Sequence, residues 1–139
     1  MYQQFGLTPP PAPKATGIRW GDYLFSEPRV FGTGLIAPTP GVYAIMVMDP
    51  AWTPRTFKPL YFGETEDLRK RVGFAHEKYS QWKLHAGTLT LYMSYYHTLG
   101  TTTERRKAIE EELIGEYNPP CNIMLLGPLA AMLRGLGSR

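Results

Sequence analysis

The chain has 139 residues, of which 43% are hydrophobic, so it can form a single domain with a buried core rather than a disordered polypeptide. Its 15 basic and 12 acidic residues leave a net charge of +3, an excess that permits nucleic-acid binding but does not by itself indicate it. One cysteine and three scattered histidines exclude an internal disulfide framework and a zinc site with the usual ligand spacing.

Residues 1–40 precede the region with regular sequence patterns. Four prolines between positions 9 and 13 predict an extended, polyproline-like arm over residues 1–16. The first residues lack the basic and apolar runs of a signal peptide, and no apolar stretch is long enough to span a membrane, so we expect a soluble, cytoplasmic protein. Apolar residues mixed with Gly and Pro over 17–40 predict short strands and irregular structure that cover one side of the domain.

Three segments have the composition of β-strands. The apolar run 42–48, rich in strand-forming residues and ended by Asp49-Pro50, predicts the first strand. A proline-bearing loop separates it from the run 60–62, which predicts an antiparallel partner with a long connection. The alternating and aromatic segment 89–96 predicts the third strand.

A first helix is predicted between the second and third strands. Thr65 is a suitable N-cap, and the acidic residues that follow it suit the positive end of the helix dipole. The helix is expected to run to about Trp82, because apolar residues recur at helical spacing at Leu68, Val72, Ala75, Tyr79 and Trp82.

A second helix is predicted over Glu104–Tyr117, with a cap from the threonines at 101–103 and a stop at Asn118-Pro119-Pro120. Residues 123–139 are apolar and predict a short docked helix after Pro128. The element order indicates an α+β fold, a small three-stranded antiparallel sheet flanked by helices. The chain thus divides into a cover segment (1–40), the organised domain (41–122) and a tail (123–139).

The second helix places one carboxylate among apolar residues. At about 100° per residue, Glu110 falls in the middle of the apolar arc that Ile109 and Leu113 define, whereas the next two glutamates point outside it. An unpaired buried carboxylate is costly unless it is ion-paired, hydrogen-bonded or bound to a metal. Arg106 lies one turn earlier on the same face, so the pattern leaves a structural ion pair and a functional carboxylate as equal alternatives.

The other polar candidates each have an ordinary structural interpretation when taken singly. Tyr43 and Tyr61 lie on neighbouring predicted strands, where tyrosine is common. Arg71 borders the buried side of the first helix, where arginine is usually solvated, and a lone histidine such as His76 is more often incidental than catalytic. Asn122 follows a Pro-Pro turn, where asparagine is typical of turns and caps.

Taken together, these residues form an ordered set. It resembles the GIY-YIG nuclease family over Gly41 to Asn122, about three-fifths of the chain, and the spacing from the glutamate to the asparagine is similar to that in the incision nuclease of bacterial nucleotide excision repair. The resemblance selects the same glutamate as the helical-face argument. The motifs that carry it are Gly41-Val42-Tyr43, Tyr61-Phe62-Gly63, Arg71, Glu110 and Asn122.

The chain departs from the family pattern at several positions. Val42 and Phe62 replace the isoleucines of the naming motif. The family often carries a histidine four residues after the arginine, but Ala75 stands there and His76 follows it. Glu64 occupies a position where some relatives carry a lysine, so no basic function is assigned to it.

The resemblance implies a DNA endonuclease that hydrolyses phosphodiesters with one Mg²⁺ or Mn²⁺ per active site. In it, Glu110 would ligate the metal and Arg71 would hold a phosphate oxygen. Tyr43 would position or deprotonate the attacking water with support from Tyr61. His76 would be the counterpart of the family histidine, and Asn122 would maintain the site architecture.

The basic residues and aromatics indicate how DNA would be held. We expect contacts to DNA from Arg69, Lys70, Lys78 and Arg106. Stacking surfaces from Trp20 and the tyrosines at 92, 95 and 96 would favour single-stranded or branched DNA. Two alternatives stay open: a catalytically inactive nucleic-acid-binding module with the same fold, and a protein-interaction domain that uses the proline-rich arm.

Overall fold

The computed structural model describes residues 16–52 and 55–123. The predicted proline-rich arm, apart from its last residue, and the helix predicted after Pro128 lie outside the described residues. In the described part, no helix is long and apolar enough to cross a membrane. The elements in chain order are β1 (Ile18–Trp20), β2 (Tyr23–Phe25), β3 (Arg29–Val30), β4 (Gly41–Met48), β5 (Phe57–Thr65), α1 (Leu68–Arg71), α2 (Tyr79–Ala86), β6 (Tyr92–His97), α3 (Thr103–Tyr117) and a 3₁₀ turn (Pro120–Asn122).

The main sheet has the strand order β3-β6-β4-β5, and every pair in it is antiparallel. The α+β class is confirmed, and the three predicted strands are neighbours in the sheet, but the predicted count of three strands is wrong. Arg29 and Val30 pair with Met93 and Tyr92 and add a short fourth strand at the edge. Strands β1 and β2 form a separate hairpin. These short strands lie in the segment 17–40, where the sequence predicts short strands mixed with irregular structure.

Strand β4 is central and is buried on both faces, which explains its continuous apolar run. Tyr43 and Ile45 point to one face, where α1, α2 and β6 contribute to the core. Val42 and Ala44 point to the other face, which the β1–β2 hairpin and α3 cover. The sheet therefore separates two apolar cores.

The first helix is not continuous as predicted. Helix α1 begins at Leu68, and its N-cap is Asp67, whose side chain accepts a hydrogen bond from the Lys70 N–H, rather than Thr65. The chain leaves helical geometry at Val72, and α2 begins only at Tyr79. A β-branched residue followed by Gly73 lowers the local helix propensity, and the turn still buries three of the predicted stripe residues, Leu68, Val72 and Trp82.

The second predicted helix is confirmed. The Thr102 hydroxyl accepts a hydrogen bond from the Arg105 N–H at 3.1 Å, so this residue is the N-cap of α3. Asn118 ends the helix in the left-handed conformation, with a φ of 50°. Ile109 and Leu113 are buried as the periodicity predicts, so α3 lies against the sheet with the side that carries Glu110 turned towards β5.

Candidate active site

Tyr43 and His76 form a buried hydrogen bond at the centre of the site. Tyr43 lies on β4, and its hydroxyl is 2.8 Å from His76 Nε2. Tyr43 is 1% exposed, and the His76 side chain is 0% exposed. His76 belongs to the turn between α1 and α2, so the interruption of the predicted helix brings these two residues together.

The glycine opposite Tyr43 makes room for its ring. Gly63 on β5 is the cross-strand partner of Tyr43. A Cβ at Gly63 would lie 2.3 Å from Tyr43 Cζ and 2.4 Å from the hydroxyl oxygen, far inside van der Waals contact. The tyrosine–glycine pairing of the two sequence motifs is therefore a steric requirement of this site.

The hydrogen bonds of His76 define its tautomer. The backbone N–H of Lys78 donates to His76 Nδ1 at 3.0 Å, so Nδ1 carries a lone pair. Burial, with the nearby positive charge of Arg71, lowers the pKa of His76 to about 4, so the ring is neutral near pH 7. Its single proton is then on Nε2, and His76 donates to the Tyr43 oxygen. Tyr43 keeps its own hydroxyl proton to donate elsewhere.

Tyr61 lies beside this pair. Its ring centroid is 6.0 Å from that of Tyr43 and 5.6 Å from that of His76. Trp82 on α2 lies beside both Tyr61 and His76, at 5.3 Å and 4.4 Å between ring centroids. The fully buried indole therefore restricts the positions of the Tyr61 and His76 rings.

The hydroxyl groups of Tyr43 and Tyr61 both keep their protons at neutral pH. Burial raises the pKa of Tyr43 well above 10, and Tyr61 adds to the increase. Burial also raises the pKa of Tyr61, and the negative charge of Glu110 contributes. The positive charge of Arg71 opposes both increases. The hydroxyls are thus suited to orient a water molecule by hydrogen bonding, and a phenolate at Tyr43 would depend on Arg71 and His76 for stabilisation.

Arg71 is at the end of α1 and pairs with Glu77. Arg71 Nη1 and Nη2 donate to the two Glu77 carboxylate oxygens at 2.6 Å and 2.5 Å. These hydrogen bonds hold the pKa of the Glu77 carboxyl down at about 2 and raise that of the guanidinium. Because carboxylate and phosphate use the same planar fork of arginine, Glu77 occupies an edge of Arg71 that could hold a phosphate. The side chains are 36% and 61% exposed, so this edge faces solvent.

Glu110 lies at an open pocket of about 360 Å³. Tyr61, Lys78 and Asn122 also line this pocket. Burial raises the pKa of Glu110 to about 6, and the charge of Glu64 adds to the increase. Among the described residues no basic side chain forms an ion pair with Glu110. Glu110 is therefore a half-buried carboxylate that faces a cavity without a counter-ion.

Arg106 does not pair with Glu110, although the helical pattern allows it. Its Nε lies 2.7 Å from a carboxylate oxygen of Glu64, and the two side chains are 4% and 17% exposed. The buried Arg106–Glu64 pair links α3 to β5. The Arg106 guanidinium is therefore already bound to a carboxylate inside the protein. The DNA contact predicted for Arg106 does not fit this position, because a buried and ion-paired guanidinium cannot reach a phosphate on the surface.

Asn122 acts on the backbone of the edge strand. Its Oδ1 accepts from the Phe62 N–H at 2.7 Å, and its Nδ2 donates to the Phe62 carbonyl at 2.8 Å. Among residues 16–52 and 55–123, strand β5 has a neighbouring strand on one side only, and the Asn122 amide supplies hydrogen bonds to the Phe62 backbone on the other side. Asn122 therefore fixes the position of Tyr61 and Gly63, in agreement with an architectural role.

The surface predictions have mixed outcomes. Arg69 and Lys70 are exposed, but the Arg69 Nε donates to the Ile36 carbonyl at 2.7 Å and so ties α1 to the preceding loop. Lys78 lines the pocket with Glu110. The predicted stacking surface is wrong, because both faces of the sheet are covered. Trp20 is 0% and Tyr95 3% exposed, and the tyrosines at 92 and 96 pack against the core.

The site has the composition to hold a hard divalent cation through one carboxylate. No group of three or more His, Cys, Asp or Glu side chains that could hold a metal occurs within residues 16–52 and 55–123. Glu110, unpaired at an open pocket, fits a single oxygen ligand that leaves the remaining positions to water and phosphate. The residues present are therefore compatible with Mg²⁺ or Mn²⁺ at Glu110.

Glu77 is the site residue that sequence reasoning missed. On the predicted continuous helix, positions 71 and 77 are six residues apart and lie on different turns and faces. The helix is interrupted at Val72, and the turn that follows brings Glu77 back to Arg71. Only the Val72-Gly73 dipeptide in the sequence signals such a break.

Comparison with protein-family models, with curated proteins and with solved structures gives no match for this chain.

Proposed function

We propose that this protein is a divalent-metal-dependent DNA endonuclease of the GIY-YIG type. The observation that carries the proposal is the convergence of Tyr43, Tyr61, His76, Arg71 and Glu110 from four elements and one turn on a single region. One buried and one partly buried hydroxyl, a neutral imidazole, a guanidinium and an unpaired carboxylate suit phosphodiester hydrolysis. A purely structural carboxylate at Glu110 would be expected to have a counter-ion, and Arg106 is engaged elsewhere.

Tyr43 is the residue proposed to orient the attacking water. The His76 Nε2–H donates to its oxygen, so the hydroxyl proton of Tyr43 is directed away from His76. A water held by this hydroxyl would attack phosphorus, forming the new P–O bond as the bond to the leaving oxygen breaks, while the attacking water would lose a proton to the surrounding solvent and the leaving oxygen would take one from it. Tyr61 limits the orientations of the Tyr43 ring.

Two basic side chains at the site, Arg71 and Lys78, would hold the phosphate. Arg71 presents a fork for two phosphate oxygens once Glu77 releases it, and Lys78 lines the same pocket as Glu110. Both positive charges would stabilise the charge that develops on the phosphate oxygens. Mg²⁺ or Mn²⁺ bound at Glu110 would supply a Lewis acid for the leaving oxygen.

The second candidate function is a nucleic-acid-binding module without catalysis. The bidentate Arg71–Glu77 pair favours this alternative, because it occupies the arginine that the nuclease needs. Such a module would bind DNA in a salt-dependent manner and would not cleave it.

Cleavage of labelled single-stranded, duplex and branched DNA with Mg²⁺, Mn²⁺ or EDTA tests the proposal. Glu110→Gln is expected to abolish cleavage, whereas Glu111→Gln, at the exposed neighbouring position, is expected to cleave like the wild type. Because Glu110 must lose a proton to bind a cation, cleavage at metal concentrations well below saturation should rise through about pH 6 and level off above it.

A second measurement separates chemistry from folding. Mn²⁺ is expected to raise the melting temperature of the wild type and of Glu111→Gln but not that of Glu110→Gln, because a ligand that binds only the folded state stabilises it. Wild-type rates in Glu110→Gln would refute the assignment. Salt-dependent DNA binding without any cleavage would support the binding module.

A further inference from the structure

Phe74 is an exposed aromatic side chain in the turn that carries the site residues. It is 62% exposed, whereas the aromatics that the sequence favours for stacking are buried or packed. Its ring has a defined position: it lies over Gly32, where a Cβ would fall 2.4 Å from Phe74 Cζ. The rings of Phe31 and Tyr79 contact it edge-on, at 5.2 Å and 5.4 Å between centroids. The ring is thus held in place while much of it faces solvent.

A groove of about 240 Å³ adjoins this ring. Phe31, Phe74 and Tyr79 form its aromatic side, and Lys83 and Thr90 contribute polar groups. Lys83 is exposed and makes no ion pair within the described part of the chain. Of the residues that the structure describes, none with an acidic side chain lines the groove. An aromatic face beside an uncompensated ammonium is the pairing by which proteins hold unpaired bases together with their phosphates.

The groove is connected to the proposed active site through one short segment. Three peptide units separate Phe74 from Arg71, so their Cα atoms are at most about 11 Å apart. His76 follows two residues later and packs on Trp82, which in turn packs on Phe31. A strand whose phosphate lies at Arg71 would therefore reach Phe74 within a few nucleotides.

We propose that Phe74 and Lys83 hold an unpaired nucleotide of single-stranded DNA next to the scissile phosphate, with the base stacked on Phe74 and a phosphate at Lys83. This inference rests on the proposed function and specifies its substrate class. Base faces in a duplex are already stacked on their neighbours, so only an unpaired base can use the exposed ring. The site therefore selects single strands through Phe74.

Binding measured without metal tests this inference independently of cleavage. The probe is a fluorescein-labelled oligo(dT) strand, compared with the same strand in a duplex, and the readout is fluorescence anisotropy in EDTA. Phe74→Ala is expected to weaken single-strand binding by roughly five- to 150-fold, the effect of losing one stacked base. Phe74→Trp should retain binding, and Phe74→Leu should lose it, because stacking rather than apolar area is required.

Matched substitutions define the controls. Leu84→Ala removes a side chain that is 80% exposed on α2 outside the groove, and should leave binding unchanged. The logarithm of the DNA-binding constant falls linearly with the logarithm of the salt concentration. Lys83→Gln should make this slope less steep by about 0.7, the value for one phosphate contact on a single strand, whereas Lys107→Gln on α3 should leave the slope unchanged. Phe74→Ala should weaken binding without changing this slope.

The outcomes separate this inference from the proposed function. Phe74-dependent binding of single strands with no cleavage under any metal would leave the inference standing and overturn the nuclease. Cleavage with equal binding by Phe74→Ala and the wild type would overturn the inference alone. Tighter binding to duplex than to single strand, or no binding to either, would also overturn it.

Discussion

The pairing of Tyr43 with Gly63 leads to a quantitative prediction for Gly63→Ala. The new Cβ would lie 2.3 Å from Tyr43 Cζ, whereas ordinary contacts begin at 3.4 Å. The tyrosine ring must therefore move by about 1 Å, the difference between these two distances. Its hydrogen bond to His76, now 2.8 Å long, would then exceed the 3.5 Å range of such bonds.

Two effects of known size follow from this displacement. Overpacking of a buried position costs about 1–3 kcal/mol of the free energy of unfolding. A displacement of about 1 Å in a positioning group reduces catalysis by roughly 100-fold. Gly63→Ala is therefore expected to fold with reduced stability and to cleave DNA about two orders of magnitude more slowly than the wild type.

The assay combines urea unfolding, cleavage rate and ¹⁵N NMR of the imidazole, which reports the Nε2–H of His76 even if no cleavage is found. Gly115→Ala is the matched control, because it makes the same chemical change in helix α3 at a position where a Cβ would meet nothing within 4 Å. It should raise stability by about 0.5–1 kcal/mol and leave the rate unchanged. Wild-type stability, rate and imidazole spectrum in Gly63→Ala would refute the steric argument.

Two further predictions concern the turn between α1 and α2. Because the pKa of His76 falls from 6.5 to about 4 on folding, its contribution to stability is complete above pH 6.5 and is lost as pH falls towards 4. Glu110, whose pKa is raised to about 6, changes stability in the opposite direction over this window, so the wild type must be compared with His76→Asn. Between pH 6.5 and 4 the free energy of unfolding in urea should fall by about 2–3 kcal/mol more in the wild type than in His76→Asn; identical pH profiles would contradict the buried neutral imidazole. Glu77→Gln frees Arg71 for phosphate, so anisotropy in EDTA should show DNA binding up to about fivefold tighter, with less than about 1 kcal/mol lost in urea unfolding, as for an exposed pair. Weaker DNA binding would instead mean that Glu77 positions Arg71.

The sequence contains enough local information to predict most elements and the position of one candidate site residue. Strand β4 and helix α3 follow from a continuous apolar run and from a 3.6-residue pattern with a threonine cap, signals that depend on neighbours in the chain. The same periodicity places Glu110 on the sheet-facing side and its neighbouring glutamates in solvent, as observed. The order and spacing of the motif residues between Gly41 and Asn122 can also be read along the chain without a structure.

Tertiary contacts decided what the local pattern could not. The stripe from Leu68 to Trp82 is compatible with a continuous helix, but burying both ends of it and seating His76 against Tyr43 requires a turn at Val72. That turn also creates the Arg71–Glu77 pair and exposes Phe74.

The tertiary structure likewise decided which residue forms the ion pair with Arg106. The helical pattern on α3 places Arg106 next to Glu110, but in the folded protein Arg106 pairs with Glu64 on β5. The sequence thus determined which residue types could form the site, through short-range periodicity and spacing. Only the tertiary structure decided which of them meet, because ion pairs and buried hydrogen bonds join residues far apart in the chain and form only where packing brings them together.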